Sequence, residues 1–153
     1  MKFSTRDLCF CAIGAALIAV CAWISIPADV PFTLQTFAIF AVCGLLGGRR
    51  GTVSVLVYLL LGAVGAPVFA GFRGGLASLL GTTGGYLVGF VLLALIIALA
   101  QARWGLGQWV FVLSAAVGLL VCYAFGTAWF LIVYTRTGAI TLGVVLALSL
   151  IHI

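Results

Sequence analysis

The sequence predicts an all-α fold, a polytopic transmembrane helical bundle of six spans, and three observations carry that expectation. Hydrophobic residues make up 66% of the 153 and charged residues only 6%, whereas a soluble domain carries about 25% charged residues to wet its surface. Seven basic and two acidic side chains cannot cover a globule of this length, so the surface faces lipid. The apolar residues also fall into runs that approach the length needed to cross a hydrocarbon core of about 30 Å, which takes about 20 residues. Mean hydropathy is +1.43. The length accommodates about six such runs with short connections, so residues 1–153 read as one transmembrane domain.

Breaks in the apolar pattern place the spans. The first covers Leu8 to Ile26 and ends at the turn Pro27-Ala28-Asp29-Val30-Pro31. Lys2 and Arg6 ahead of it give the look of a signal peptide, but the later segments are equally apolar, so it reads as the first of a series. The second covers Thr33 to Gly47 and stops at Arg49-Arg50; the third covers Thr52 to Ala66 and is closed by Pro67. A Gly-rich stretch from Phe69 to Gly85 follows. It is too long for a hairpin, and Phe69, Phe72, Leu76, Leu79 and Leu80 make it too apolar to float in water. It reads as a lid folded over the bundle mouth, its glycines supplying positive φ. The fourth span is Tyr86 to Ala102, the fifth Trp109 to Tyr134, and a sixth begins near Ala139 and runs out at Ile153.

Positive charge concentrates on the cytoplasmic side of a membrane protein. With the N-terminus inside, Lys2, Arg6, Arg49, Arg50 and Arg103 are all cytoplasmic, and only Arg73 and Arg136 are outside. The net charge of +5 therefore reports topology. The basic residues form no patch interleaved with aromatics, which excludes nucleic acid as a partner. No Gly-rich phosphate loop with its Lys occurs, so any ATP-driven step comes from a partner. The five cysteines sit in or beside apolar runs without a CxxC pair and read as small packing residues. Paired carboxylates, a Ser/His/Asp set and a metal cluster are all lacking from the sequence; no catalysis, cofactor or metal is implied. Glycine is frequent, with 20 residues, and close backbone approach through small residues drives helix pairing in lipid. Ala12-xxx-Ala16 and Ala15-xxx-Ala19 line the first span, either as bundle packing or as a docking face for another membrane subunit.

Polar groups are few, so their position is informative. In the N-inside orientation, Thr33, Gln35 and Thr36 lie at the outer end of span two. Thr82, Thr83 and Tyr86 lie at the outer end of span four. Gly126, Thr127 and Trp129 lie in the outer half of span five, with Tyr123 a turn deeper. Arg73 sits in the outer loop. Each has a plainer reading: Tyr86 and Trp129 as interfacial belt aromatics, Gln35 as an interhelical bond, Arg73 as a solvated charge. Together they point to a passive, outward-facing site for a small molecule.

The local strings resemble a known family. Ile26-Pro27 followed by Val30-Pro31-Phe32-Thr33-Leu34-Gln35-Thr36-Phe37 looks like the first-loop signature of the BioY family, the substrate-binding S components of energy-coupling-factor biotin transporters. Gly65-Ala66-Pro67-Val68-Phe69-Ala70-Gly71, Gly81-Thr82-Thr83-Gly84-Gly85-Tyr86 and Gly126-Thr127-Ala128-Trp129 are similar too, although the family more often has Pro at the position of Thr82. The likeness runs collinearly from Thr5 to Gly143. It implies a six-helix subunit of a bacterial inner membrane, with both termini cytoplasmic and biotin as substrate. The implied partners are a transmembrane coupling protein and two ATPases, and Ala12 and Ala16 mark the docking face. It also implies a substrate site of Thr33, Gln35, Phe69, Arg73, Thr83, Gly84, Tyr86 and Trp129. By ligand chemistry, Gln35 and Thr83 suit the ureido group, Phe69, Tyr86 and Trp129 the thiophane ring, and Arg73 the carboxylate. The rival expectations are an S component for another vitamin, such as riboflavin or thiamine, and a structural membrane protein without a ligand. One departure concerns the end of the chain. Family members usually carry an Asp and a Lys after a Pro-Gly in the last helix; residues 144–153 contain neither, and the sixth span reads as clipped or altered.

Overall fold

Asp7 starts the first helix: its Oδ2 accepts the Ser4 backbone N–H at 3.0 Å, satisfying a donor that the helix itself leaves free. The structure, a computed structural model, describes residues 4–26 and 32–135. Helix α1 runs Thr5–Trp23. Its face bearing Gly14, Ala15, Ile18, Ala19 and Ala22 is buried, while Ala12, Ile13, Ala16, Leu17 and Val20 are exposed. The two small-residue pairs thus part company. Ala15 and Ala19 pack the bundle, and Ala12 and Ala16 face out.

The helix stops three residues earlier than the apolar run. Ser25–Ile26 forms β1, which pairs antiparallel with β2, Phe32–Thr33, in the register Ser25↔Thr33 and Ile26↔Phe32. Ile26 precedes Pro27, and a residue before proline is pushed out of the helical region. The turn of residues 27–31 lies outside the described residues.

Helix α2 (Gln35–Leu46) and helix α3 (Gly48–Val64) are joined by Gly47 alone, whose φ of 82° suits only glycine comfortably. Arg49 and Arg50 therefore lie in the first turn of α3 and do not form a connector after the second span. Gly65, at φ 111°, ends α3 with its N–H bonded to the Gly62 carbonyl. The Gly-rich stretch then holds a 3₁₀ turn at Ala70–Phe72 and the short α4, Leu76–Leu80. Helix α5 runs Gly84–Trp104 and α6 Gln108–Thr135.

Five long helices match the first five expected spans within a few residues. By length and composition α1, α5 and α6 can cross a membrane. Helix α2, with 12 residues, is only ~18 Å long. The sixth span, Arg136 and the altered ending lie outside the described residues.

The core is built where α1, α2, α3 and α5 meet, around Ile18, Ile39, Val42, Val55, Leu93 and Ile97. Helices α5 and α6 form the most extensive pair, and glycines set their separation. A Cβ on Gly85 would strike Trp129, one on Gly89 the Cys122 side chain, and one on Gly126 the Tyr86 ring. This is the close approach that small residues allow in lipid, where apolar surface gains nothing by pairing.

Candidate substrate site

One end of the bundle collects the end of α1, the starts of α2 and α5, the end of α3 and the Gly-rich loop. The loop is held down at several points. Phe69 turns inward and is 4% exposed. Its ring meets Tyr58 edge-on with centroids 5.5 Å apart and occupies the notch left by Gly62, where a Cβ would collide with it. The Phe69 N–H donates to the Arg73 carbonyl at 2.9 Å, closing a small turn. At its tip Phe72 takes φ 57°, a left-handed conformation that costs a bulky residue energy. Its ring stacks on Trp23 at 5.1 Å, and the Trp23 indole N–H donates to the Pro67 carbonyl at 2.9 Å. The loop is thus a lid tied to α1 and seated on α3.

A second set of contacts joins the lid's far end to α6. The Trp129 indole N–H donates to the Gly81 carbonyl at 3.0 Å. Tyr86 is buried against α6; its hydroxyl lies 3.4 Å from the Thr127 hydroxyl, and its ring meets Tyr123 edge-on at 6.2 Å. Thr83 is half-buried and caps α5, its carbonyl accepting the Tyr86 N–H at 3.1 Å. Gly84 is buried where any Cβ would strike the Leu79 carbonyl.

Two polar atoms stand out. Gln35, the first residue of α2, is 4% exposed, and its Nε2 has no hydrogen-bond partner among the described residues. Tyr58 is 1% exposed and its hydroxyl is likewise unpartnered. A buried donor without an acceptor costs about 1–3 kcal/mol. At such a group an ordered water or a ligand can supply the missing acceptor.

The structure gathers the expected residues at one end but in two groups. Phe69 belongs with the α1–α3 side of the lid; Thr83, Gly84, Tyr86 and Trp129 belong with the α5–α6 side. Thr33 is half-buried in β2, next to the start of α2 that carries Gln35. Arg73 is exposed at the lid's turn. Sequence reasoning missed Tyr58 and Trp23. A tyrosine inside an apolar run looks like ordinary core, and only the orphaned hydroxyl marks it. Trp23 carried a weaker signal, as the last aromatic before a turn.

Comparison with known proteins bears on this arrangement. The model of the BioY family matches residues 1–152. The chain is 48% identical over 122 residues to "Biotin transporter BioY" of Thermotoga maritima, spanning 79% of this chain and 72% of that one. It is 41% identical over 129 residues to "Biotin transporter BioY2" of Lactococcus lactis, spanning 80% of this chain and 68% of the relative. A crystal structure of the S-component for biotin from an ECF-type ABC transporter superposes with a TM-score of 0.85 at 27% identity, over 99% of this chain and 85% of that one.

Proposed function

The chain belongs to the BioY family, and from that premise we propose that it is the biotin-binding membrane subunit of an energy-coupling-factor transporter. It is a multi-pass membrane protein and a transport component, not an enzyme. The observation that carries the reading of the site is the orphaned Nε2 of buried Gln35 at the lid end of the bundle. A ureido carbonyl is an acceptor of the kind this donor lacks, and the Tyr58 hydroxyl offers a second donor.

The remaining roles follow from chemistry. Thr33 and Thr83 add hydroxyls near the mouth. Phe69, Tyr86 and Trp129 supply apolar and aromatic wall, Gly84 brings the α5 backbone close, and Arg73 at the lid's turn suits a carboxylate. Lid release admits the ligand, and the Trp23, Phe72 and Phe69 contacts hold it shut. The chain lies in a bacterial inner membrane with its N-terminus cytoplasmic. The exposed Ala12 and Ala16 then form a flat strip on α1 where a coupling protein packs, and the ATPases joined to it supply the energy. Uptake of labelled biotin by a transport-deficient strain expressing this chain with an energising module tests the proposal. Biotin accumulation that excess unlabelled biotin abolishes and excess riboflavin or thiamine leaves unchanged is expected; no accumulation above that of the strain lacking this chain contradicts it.

A further inference from the structure

A residue that lines a site faces an opening, and Phe69 does not. Its ring is 4% exposed, fills the notch of Gly62 and stands edge-on to Tyr58. The seam between α2 and α3 shows what this ring is packed among. Cys43 touches Gly51 across the seam. One turn on, Ile39 and Val55 are both fully buried. The next turn brings Gln35 and Tyr58 to the same rung, because residues three or four apart share a helix face. These two side chains hold the Nε2 and the hydroxyl that are closed off from solvent and lack a partner among the described residues. The ligand-free chain therefore packs an aromatic ring of its own against one of the groups assigned to the substrate.

That seat is built to be given up. Sealing two donors without acceptors raises the energy of the filled state. Phe72, on the same turn, sits in the left-handed region that a bulky side chain disfavours. The segment is flanked by Gly65 at φ 111° and Gly75 at φ 87°, and open space surrounds each where a Cβ would stand. Both can change their dihedrals without collision, as hinge positions do. Their N–H groups bond to one acceptor, the Gly62 carbonyl, at 3.1 and 2.7 Å, so the ends of the segment meet as in an Ω-loop.

We propose that Phe69 is a plug. In the ligand-free chain its ring holds the place of the ligand's ring system, and binding expels it from the Gly62 notch, after which it lies along the ligand as wall. The inference rests on the biotin reading of this site. It makes the plugged form incompetent to bind, so the apparent affinity is lowered by the fraction of chains that are open.

Gly62→Ala tests this without altering Phe69. The added Cβ collides with the far end of the Phe69 ring, and alanine suits a helix interior better than glycine. With para-fluorophenylalanine at position 69 alone, fluorine NMR of the full chain in nanodiscs should show one resonance without ligand and a second with saturating biotin. Gly62→Ala should populate the second resonance without biotin and speed association of labelled biotin roughly threefold or more. Phe69→Ala should associate as fast but release faster, because the wall is lost with the plug. A resonance that bound biotin leaves in place, or association no faster in Gly62→Ala than in the parent, would overturn the plug alone. Absence of biotin binding by the parent and both variants would overturn the functional reading beneath it.

Discussion

The indole N–H of Trp23 donates to the backbone carbonyl of Pro67 at 2.9 Å, linking the last turn of α1 to the segment that leads from α3 into the lid. The same helix exposes Ala12 and Ala16 about two to three turns away, so one element carries both the lid's anchor and the proposed docking strip. The link is local and polar, and its loss should act on the lid more than on the fold. Trp23→Phe keeps a ring to stack on Phe72 but removes the donor. A net contribution of about 0.5–1.5 kcal/mol for such a bond translates to biotin release about two- to tenfold faster, measured by chase of bound labelled ligand. An unchanged release rate would separate the lid from ligand retention.

Gln35 and Tyr58 give an expectation with opposite signs in two assays. Gln35→Leu and Tyr58→Phe each remove a buried donor that lacks a partner in the described structure. The ligand-free protein should therefore be as stable as the parent or slightly more so. Biotin binding, which supplies the acceptor, should weaken by about 1–3 kcal/mol, or roughly 5- to 150-fold. Thermal unfolding in detergent and equilibrium binding read the two effects. Loss of stability without loss of affinity would make these residues structural.

The docking strip makes a third expectation. Ala12→Trp or Ala16→Trp places a large side chain on the exposed face of α1, away from the core formed by Ala15, Ile18 and Ala22. Biotin binding by the isolated subunit should persist, while co-purification with the coupling protein should fail, because close helix approach is blocked. Unchanged co-purification would remove the strip from the interface.

Much of this was legible in the sequence, and what was not has physical reasons. Helices α5 and α6 read clearly because Gly, Arg and Trp bound two long apolar runs. Gln35 stood out as a lone amide among apolar residues, and the lid's apolar residues announced that it packs. The paired strands at Ser25–Ile26 and Phe32–Thr33 did not, since two-residue strands leave no alternation to detect. In the sequence Arg49 and Arg50 mark the end of a span, because charges usually do; in the structure one glycine at positive φ turns the chain, and the arginines lie inside α3. The division of the site into an α3 side and an α5–α6 side depends on which notch Phe69 fills. That notch is the missing Cβ of Gly62, which pattern alone does not show.

Topology is accessible by labelling. With the N-terminus cytoplasmic, the lid faces outward, so Arg73→Cys in a background cleared of native cysteines should react with an impermeant maleimide in intact cells. Arg103→Cys should react only after lysis. The reverse pattern would invert the orientation and place the lid on the wrong side for capture from outside.

The most direct test of the central claim is calorimetric titration of the purified chain, reconstituted in nanodiscs, with biotin, riboflavin and thiamine in turn. The account expects saturable binding of one biotin per chain, abolished by prior saturation with unlabelled biotin and unaffected by the other two vitamins. Saturable binding of riboflavin or thiamine with no heat from biotin would contradict it.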